Sequence, residues 1–128
     1  MIKIAVLTGK RGGYGAMKPM LKKFEKSKKI DLFIIATDQH LNKKFGYTIN
    51  EIKKDFSKII QVPINQKSDS DLSRSSALGN CVIGLSNKLN KINPNFLILY
   101  GDRGEILAAS LVATHLKITI VHIQGGDI

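Results

Sequence analysis

Five short runs of apolar, largely β-branched residues recur along the chain, at 2–7, 31–36, 58–62, 96–99 and 118–123, and a helix-period stretch follows each of the first four. After the first run, Met17, Met20, Leu21 and Phe24 fall at i, i+3, i+4 and i+7, with Lys18, Lys22, Lys23 and Lys26 between them. That spacing predicts an amphipathic helix with a lysine-rich outer face. Thr48-Ile49-Asn50-Glu51 has the spacing of a capping box and predicts a short helix toward Asp55. Leu78, Val82, Leu85, Leu89 and Ile92 share one stripe of a third helix, which Asn93-Pro94 should end. Residues 105–116 are apolar on most sides and predict a fourth. Strands that are apolar throughout, alternating with helices, predict an α/β fold: a parallel sheet flanked by helices on both faces and joined by right-handed crossovers. Pro19 is tolerated only in a first turn, so the first helix should begin near Met17 and leave residues 11–14 as open loop.

At 128 residues the chain has the length of one domain, or of a piece of one. No run approaches the roughly 20 apolar residues of a membrane span, and the opening run is too short for a signal peptide. The expectation is a cytoplasmic protein. A single cysteine, Cys81, excludes an internal disulfide and a thiolate metal cluster, and its place on the third helix predicts a core residue. The net charge of +10 is one-sided, with +9 in residues 1–64 and +1 in residues 65–128. Its bases are nearly all lysines at intervals that a helix turns outward, without interleaved aromatic side chains, so a solvated surface is expected rather than a nucleic-acid site.

Ligands of open parallel sheets bind beyond the carboxyl ends of the strands, and the unusual residues of this chain collect there. The first loop, Thr8-Gly9-Lys10-Arg11-Gly12-Gly13-Tyr14-Gly15, matches neither a Walker A sequence nor G-x-G-x-x-G. Its glycines and cations suit the close approach of a phosphate or sugar, or they merely make the turn. Lys10 and Arg11 also stand where a receiver-type signalling domain would want acids. Asp102 and Glu105 are acid/base candidates by position, although Asp-x-x-Glu at a helix start is equally a capping box. His122 is either a hydrogen-bonded core histidine or a site residue, and His40 ends a strand where a ligand contact is possible. No His, Asp, Glu and Cys set has metal-ligand spacing. The last run leads into Gln124-Gly125-Gly126-Asp127-Ile128, where a further helix would be expected, so the chain reads as part of something longer.

Four motifs appear in order: Thr8-Gly9-x-Arg11-x-x-Tyr14-Gly15-x-x-Lys18-Pro19; His40-Leu41-x-x-x-Phe45-Gly46-x-Thr48-x-x-Glu51-Ile52-x-x-Asp55; Gly101-Asp102-Arg103-x-Glu105; and His122-Ile123-x-Gly125-Gly126-Asp127. Together they resemble the hydrolysing UDP-N-acetylglucosamine 2-epimerases of sialic and legionaminic acid biosynthesis, over essentially the whole chain. The resemblance implies the N-terminal Rossmann-like domain of a GT-B arrangement, with a nucleotide sugar held between it and a second, nucleotide-binding domain absent from this chain. It implies conversion of a UDP- or GDP-linked N-acetylglucosamine, or a derivative, into the free 2-epimer by elimination of the nucleotide and hydration of the glycal. No metal or redox cofactor is implied, and neither nucleic acid nor membrane is a partner; the complete protein would be a homodimer. By the resemblance Asp102 is a catalytic carboxylate, and Arg11 contacts the diphosphate or organises its loop. His40, Arg103, Glu105, His122, Gly125 and Gly126 line the substrate. Gln124 stands where many relatives carry a glutamate, so its proton-transfer role would pass to Asp127. Two other classes stay open: a non-catalytic Rossmann-like module binding a nucleotide or partner, and a GT-B glycosyltransferase.

Overall fold

A computed structural model describes residues 1–9, 11–37, 48–64 and 66–125. In chain order the described elements are β1 (Ile2–Thr8), α1 (Arg11–Lys26), β2 (Ile30–Thr37), α2 (Ile49–Asp55), β3 (Ile59–Val62), α3 (Asp71–Ile92), β4 (Phe96–Tyr100), α4 (Gly104–His115) and β5 (Thr119–Ile123). The strands form one sheet of order β3-β2-β1-β4-β5, and every pairing is parallel. β1 is central: Val6 pairs with Ile34 on one side and Ile98 on the other.

Strand periodicity divides the core into two layers, because successive side chains of a strand point to opposite faces. Ile4 and Val6 of β1 pack with Tyr14, Met17 and Leu21 of α1 and Ile49 and Ile52 of α2. Ala5 and Leu7 pack on the other face with Cys81, Leu85 and Leu89 of α3 and Ile106, Ala109 and Val112 of α4. Both faces are covered, which is why the central strand is apolar without alternation. Cys81 is a free thiol, 1% exposed, and sits in the core as its helical position predicts.

One helix start and one helix cap differ from the sequence expectation. α1 begins at Arg11 rather than near Met17, so residues 11–14 are helical and Pro19 lies inside the helix. An interior proline costs a helix about 3 kcal/mol. Burial of Tyr14, Met17 and Leu21, each 3% exposed or less, along one side of the lengthened helix offsets it. α2 does begin after Thr48, but Thr48 has helical backbone angles and makes no side-chain cap bond, so the expected capping box is not formed. The backbone N–H of Glu51 donates to the Thr48 carbonyl instead. α3 ends at Asn93 as its sequence suggests, and its start carries a cap that the structure adds. Ser70 accepts the N–H of Ser73 at 3.1 Å, and Asn93 closes the helix in the left-handed region at φ 50° before Pro94.

Candidate functional site

The strand order reverses direction between β1 and β4, and beyond their carboxyl ends lies a cleft of about 110 Å³ lined by Gly9, Gly13, Tyr100, Asp102, Arg103 and Glu105 among others. Such a switch point is where open α/β sheets leave a crevice for a ligand. Its two walls are the start of α1 and the Gly101–Glu105 turn.

The turns after β4 and β5 are fastened together. The Gly101 N–H donates to the Ile123 carbonyl at 3.0 Å, and His122 Nε2 lies 2.6 Å from the Gly101 carbonyl. A carbonyl only accepts, so Nε2 is a donor and carries a proton. The same Nε2 is 3.9 Å from Asp102 Oδ1, so protonation of the ring would place a charge beside that carboxylate. Tyr100 Oη donates to Gln124 Oε1 at 3.2 Å. A Cβ on Gly125 would overlap the His122 imidazole, so any other residue there would have to push the ring off the Gly101 carbonyl. His122 is exposed on β5, not buried: the core-histidine reading is replaced by a histidine held at the site by a backbone carbonyl.

Glu105 is the buried acid of the site, 8% exposed. Its Oε1 accepts Arg103 Nε at 3.0 Å, and its carboxyl lies so close to Gly9 that any Cβ there would overlap it. The acid thus ties the β4–α4 turn to the exit of β1. The capping-box alternative for Asp102 and Glu105 is not formed. α4 starts at Gly104, which makes Arg103 the N-cap residue and leaves Asp102 one position outside, while Glu105 turns to Arg103. Asp102, with a side chain 57% exposed, stands at the cleft rim.

The structure therefore brings together Asp102, Arg103, Glu105, His122, Gln124 and Gly125. Arg11 heads α1, and its side chain, like His40, Gly126 and Asp127, lies outside the described residues. Among the described residues no group of three or more His, Cys, Asp or Glu could hold a metal ion.

One cluster escaped the sequence reading. Tyr14 Oη donates to Asp55 Oδ2 at 3.1 Å, Lys18 Nζ reaches the same oxygen at 2.9 Å, and Lys22 lies 4.0 Å from the other. The Tyr14 ring meets Phe56 edge-on with centroids 6.3 Å apart. The Lys18 ammonium holds the Asp55 carboxyl below the usual carboxylate range, aided by the Tyr14 hydroxyl. Burial pushes the Tyr14 phenol well above its ordinary value, and Asp55 adds to the shift. Tyr14, Lys18 and Lys22 recur every four residues on one helix face. That spacing is visible in the sequence, but a helix that starts only near Met17 leaves Tyr14 outside it.

Residues 22–128 match the sequence model of the UDP-N-acetylglucosamine 2-epimerase family. The chain is 40% identical over 126 residues to the UDP-N,N'-diacetylbacillosamine 2-epimerase (hydrolyzing) of Legionella pneumophila, covering 98% of this chain and 33% of that protein. It is 29% identical to the UDP-N-acetylglucosamine 2-epimerase of Neisseria meningitidis, over 100% of this chain and 33% of that one. Among solved structures, the Methanocaldococcus jannaschii UDP-GlcNAc 2-epimerase in complex with UDP-GlcNAc and UDP superposes with a TM-score of 0.78 at 26% identity, covering 98% of this chain and 33% of that one. The chain spans about a third of the length of these curated relatives.

Proposed function

The chain belongs to the UDP-N-acetylglucosamine 2-epimerase family, and from that premise we propose that it forms the first Rossmann-like domain of a hydrolysing nucleotide-sugar 2-epimerase of GT-B arrangement. The substrate is a UDP- or GDP-linked 2-acetamido sugar, with N-acetylglucosamine and N,N'-diacetylbacillosamine the candidate sugars. The observation that carries this reading is the convergence of Asp102, Arg103, His122 and Gln124 on one rim at the switch point.

The reaction removes the proton at C2 of the sugar and breaks the bond between C1 and the nucleotide diphosphate oxygen, giving a glycal and the nucleoside diphosphate. Water then adds across the double bond, with hydroxyl at C1 and a proton delivered to C2 from the opposite face, and the free 2-epimer leaves. Asp102 is the carboxylate for proton transfer at C2, with His122 Nε2 3.9 Å from its Oδ1. Gln124, neutral at every working pH, orients substrate through its amide, and the second proton-transferring acid is Asp127. Arg103, and Arg11 at the head of α1, meet the negative charge that grows on the departing diphosphate. His40, Gly125 and Gly126 complete the substrate wall, and Glu105 holds Arg103 in place. The reading extends to a cytoplasmic protein whose complete product is a homodimer, works without a cofactor and contacts neither nucleic acid nor membrane.

Proton NMR of reaction mixtures tests the reading, with the 128-residue chain and the longest product of its reading frame each given the two sugars linked to UDP or to GDP. Release of a free 2-epimeric sugar with the nucleoside diphosphate, from the longer product, is the expected result. Unchanged substrate with a folded longer product would overturn it in favour of a non-catalytic binding module, and transfer to an acceptor sugar would indicate a glycosyltransferase.

A further inference from the structure

Tyr100 closes β4 and lines the cleft beside Asp102, and its ring and hydroxyl lie in different surroundings. The half-buried ring packs against the core layer of α1 and α2, and a Cβ at Gly13 would stand 3.6 Å from it, so the α1 backbone runs alongside. The hydroxyl donates to Gln124 Oε1 at 3.2 Å. An aromatic body anchored in the core thus carries its polar tip to the rim and fixes where that tip stands. The residue it reaches is itself held. Gln124 has left-handed backbone at φ 54°, a conformation that a non-glycine residue keeps only where its surroundings determine it. Here they do so on both sides: Ile123 pairs with Tyr100 in the sheet and accepts the Gly101 N–H, while Gly125 backs onto the His122 imidazole. A side-chain amide has one acceptor oxygen and two N–H donors. With Oε1 taken by Tyr100, the donors are what Gln124 offers outward, and among the described residues its Nε2 has no hydrogen-bond partner.

We infer that Tyr100 is a positioning residue: its hydroxyl holds the Gln124 amide with the N–H groups turned toward the sugar, where they donate to an uncharged oxygen of the substrate. The inference rests on the epimerase reading above. An amide left to itself turns its oxygen or its nitrogen to a ligand with similar ease, and an acceptor that meets the oxygen is repelled. The Tyr100 hydroxyl removes that choice. An uncharged sugar oxygen accepts about equally well before and during the elimination, so the contact strengthens binding of substrate and transition state alike, and its loss falls on KM rather than on kcat.

The test uses the complete product, with kcat and KM measured for whichever of the UDP- or GDP-linked sugars it turns over. Tyr100→Phe keeps the ring and removes only the hydroxyl. It is expected to raise KM about 3–10-fold, the worth of one neutral hydrogen bond, with kcat little changed. In a Gln124→Ala background the same substitution should add nothing, because the amide that it positions is gone. Gln124→Glu is the further variant, at an exposed position. Its carboxylate, ionised at neutral pH, still accepts the Tyr100 hydroxyl but donates nothing, so KM should rise as far as in Gln124→Ala. An unmoved KM in Tyr100→Phe, an equal rise with and without the Gln124 amide, or a parental KM in Gln124→Glu would overturn the positioning role and leave the epimerase reading in place. A folded complete product that turns over none of the sugars would overturn both.

Discussion

Glu105 and Asp55 show how single side chains tie neighbouring elements together. Glu105 is buried, bonded to Arg103 and pressed against Gly9, so a methyl group at Gly9 has to displace its carboxyl. The carboxyl is the end of a flexible side chain and can swing away, but only by leaving Arg103. Gly9→Ala is therefore expected to cost about 1.5–3 kcal/mol, the worth of one charge-assisted hydrogen bond, measured by urea unfolding. Combined with Glu105→Ala the cost should be less than additive, since the second change removes the obstacle. Asp55 is tied to Tyr14 and Lys18, and folding favours its charged form. A carboxyl whose folded value is depressed contributes stability above the unfolded carboxylate range and loses it as pH falls through the folded value. Asp55→Asn is thus expected to lower the melting temperature at pH 7, and the gap to the parent should close as pH is taken below about 4. An undiminished gap at pH 2 would mean that the charge of Asp55 is not what stabilises this contact.

At the scale of elements, α1 and α3 make opposite cases. α3 follows its sequence from Ser70 to Asn93, because a side-chain cap, an apolar stripe and a following proline all agree. Ser70→Ala should cost about 1 kcal/mol in thermal or chemical unfolding. α1 overrides a local rule: Pro19 sits at its ninth residue, without the N–H that would bond the carbonyl four residues back. Pro19→Ala is expected to stabilise by roughly 1–3 kcal/mol, read as a higher urea midpoint, since the helix is already held by the burial of Tyr14, Met17 and Leu21. The capping boxes at Thr48 and Asp102 failed for a related reason. Four-residue spacing is compatible with a cap, but where a helix starts is decided by what its first turn packs against, and α4 begins one residue later than Asp102 would need.

For the molecule as a whole, the site exists only because the sheet brings the ends of β1, β4 and β5 side by side, uniting residues more than a hundred positions apart in sequence. Asp102→Asn in the complete product is expected to lower kcat by roughly 10²–10⁴-fold, with the melting temperature little changed because the side chain is exposed. An intact rate would remove Asp102 from the chemistry. Among the described residues the five strands, the four helices and the parallel α/β class were legible in the sequence, since period-two and period-3.6 burial are properties of local residue order. So was the clustering of unusual residues at strand ends, and with it the family. What the sequence could not determine was distance and partner. That His122 would meet the Gly101 carbonyl, that Glu105 would choose Arg103 over a cap, and that Asp55 would receive Tyr14 and Lys18 across 41 and 37 positions are outcomes of packing. Local propensity is set by neighbours along the chain. Hydrogen-bond partners and buried charges are set by which groups the folded sheet and its helices bring within about 3 Å, and only the tertiary structure decides that.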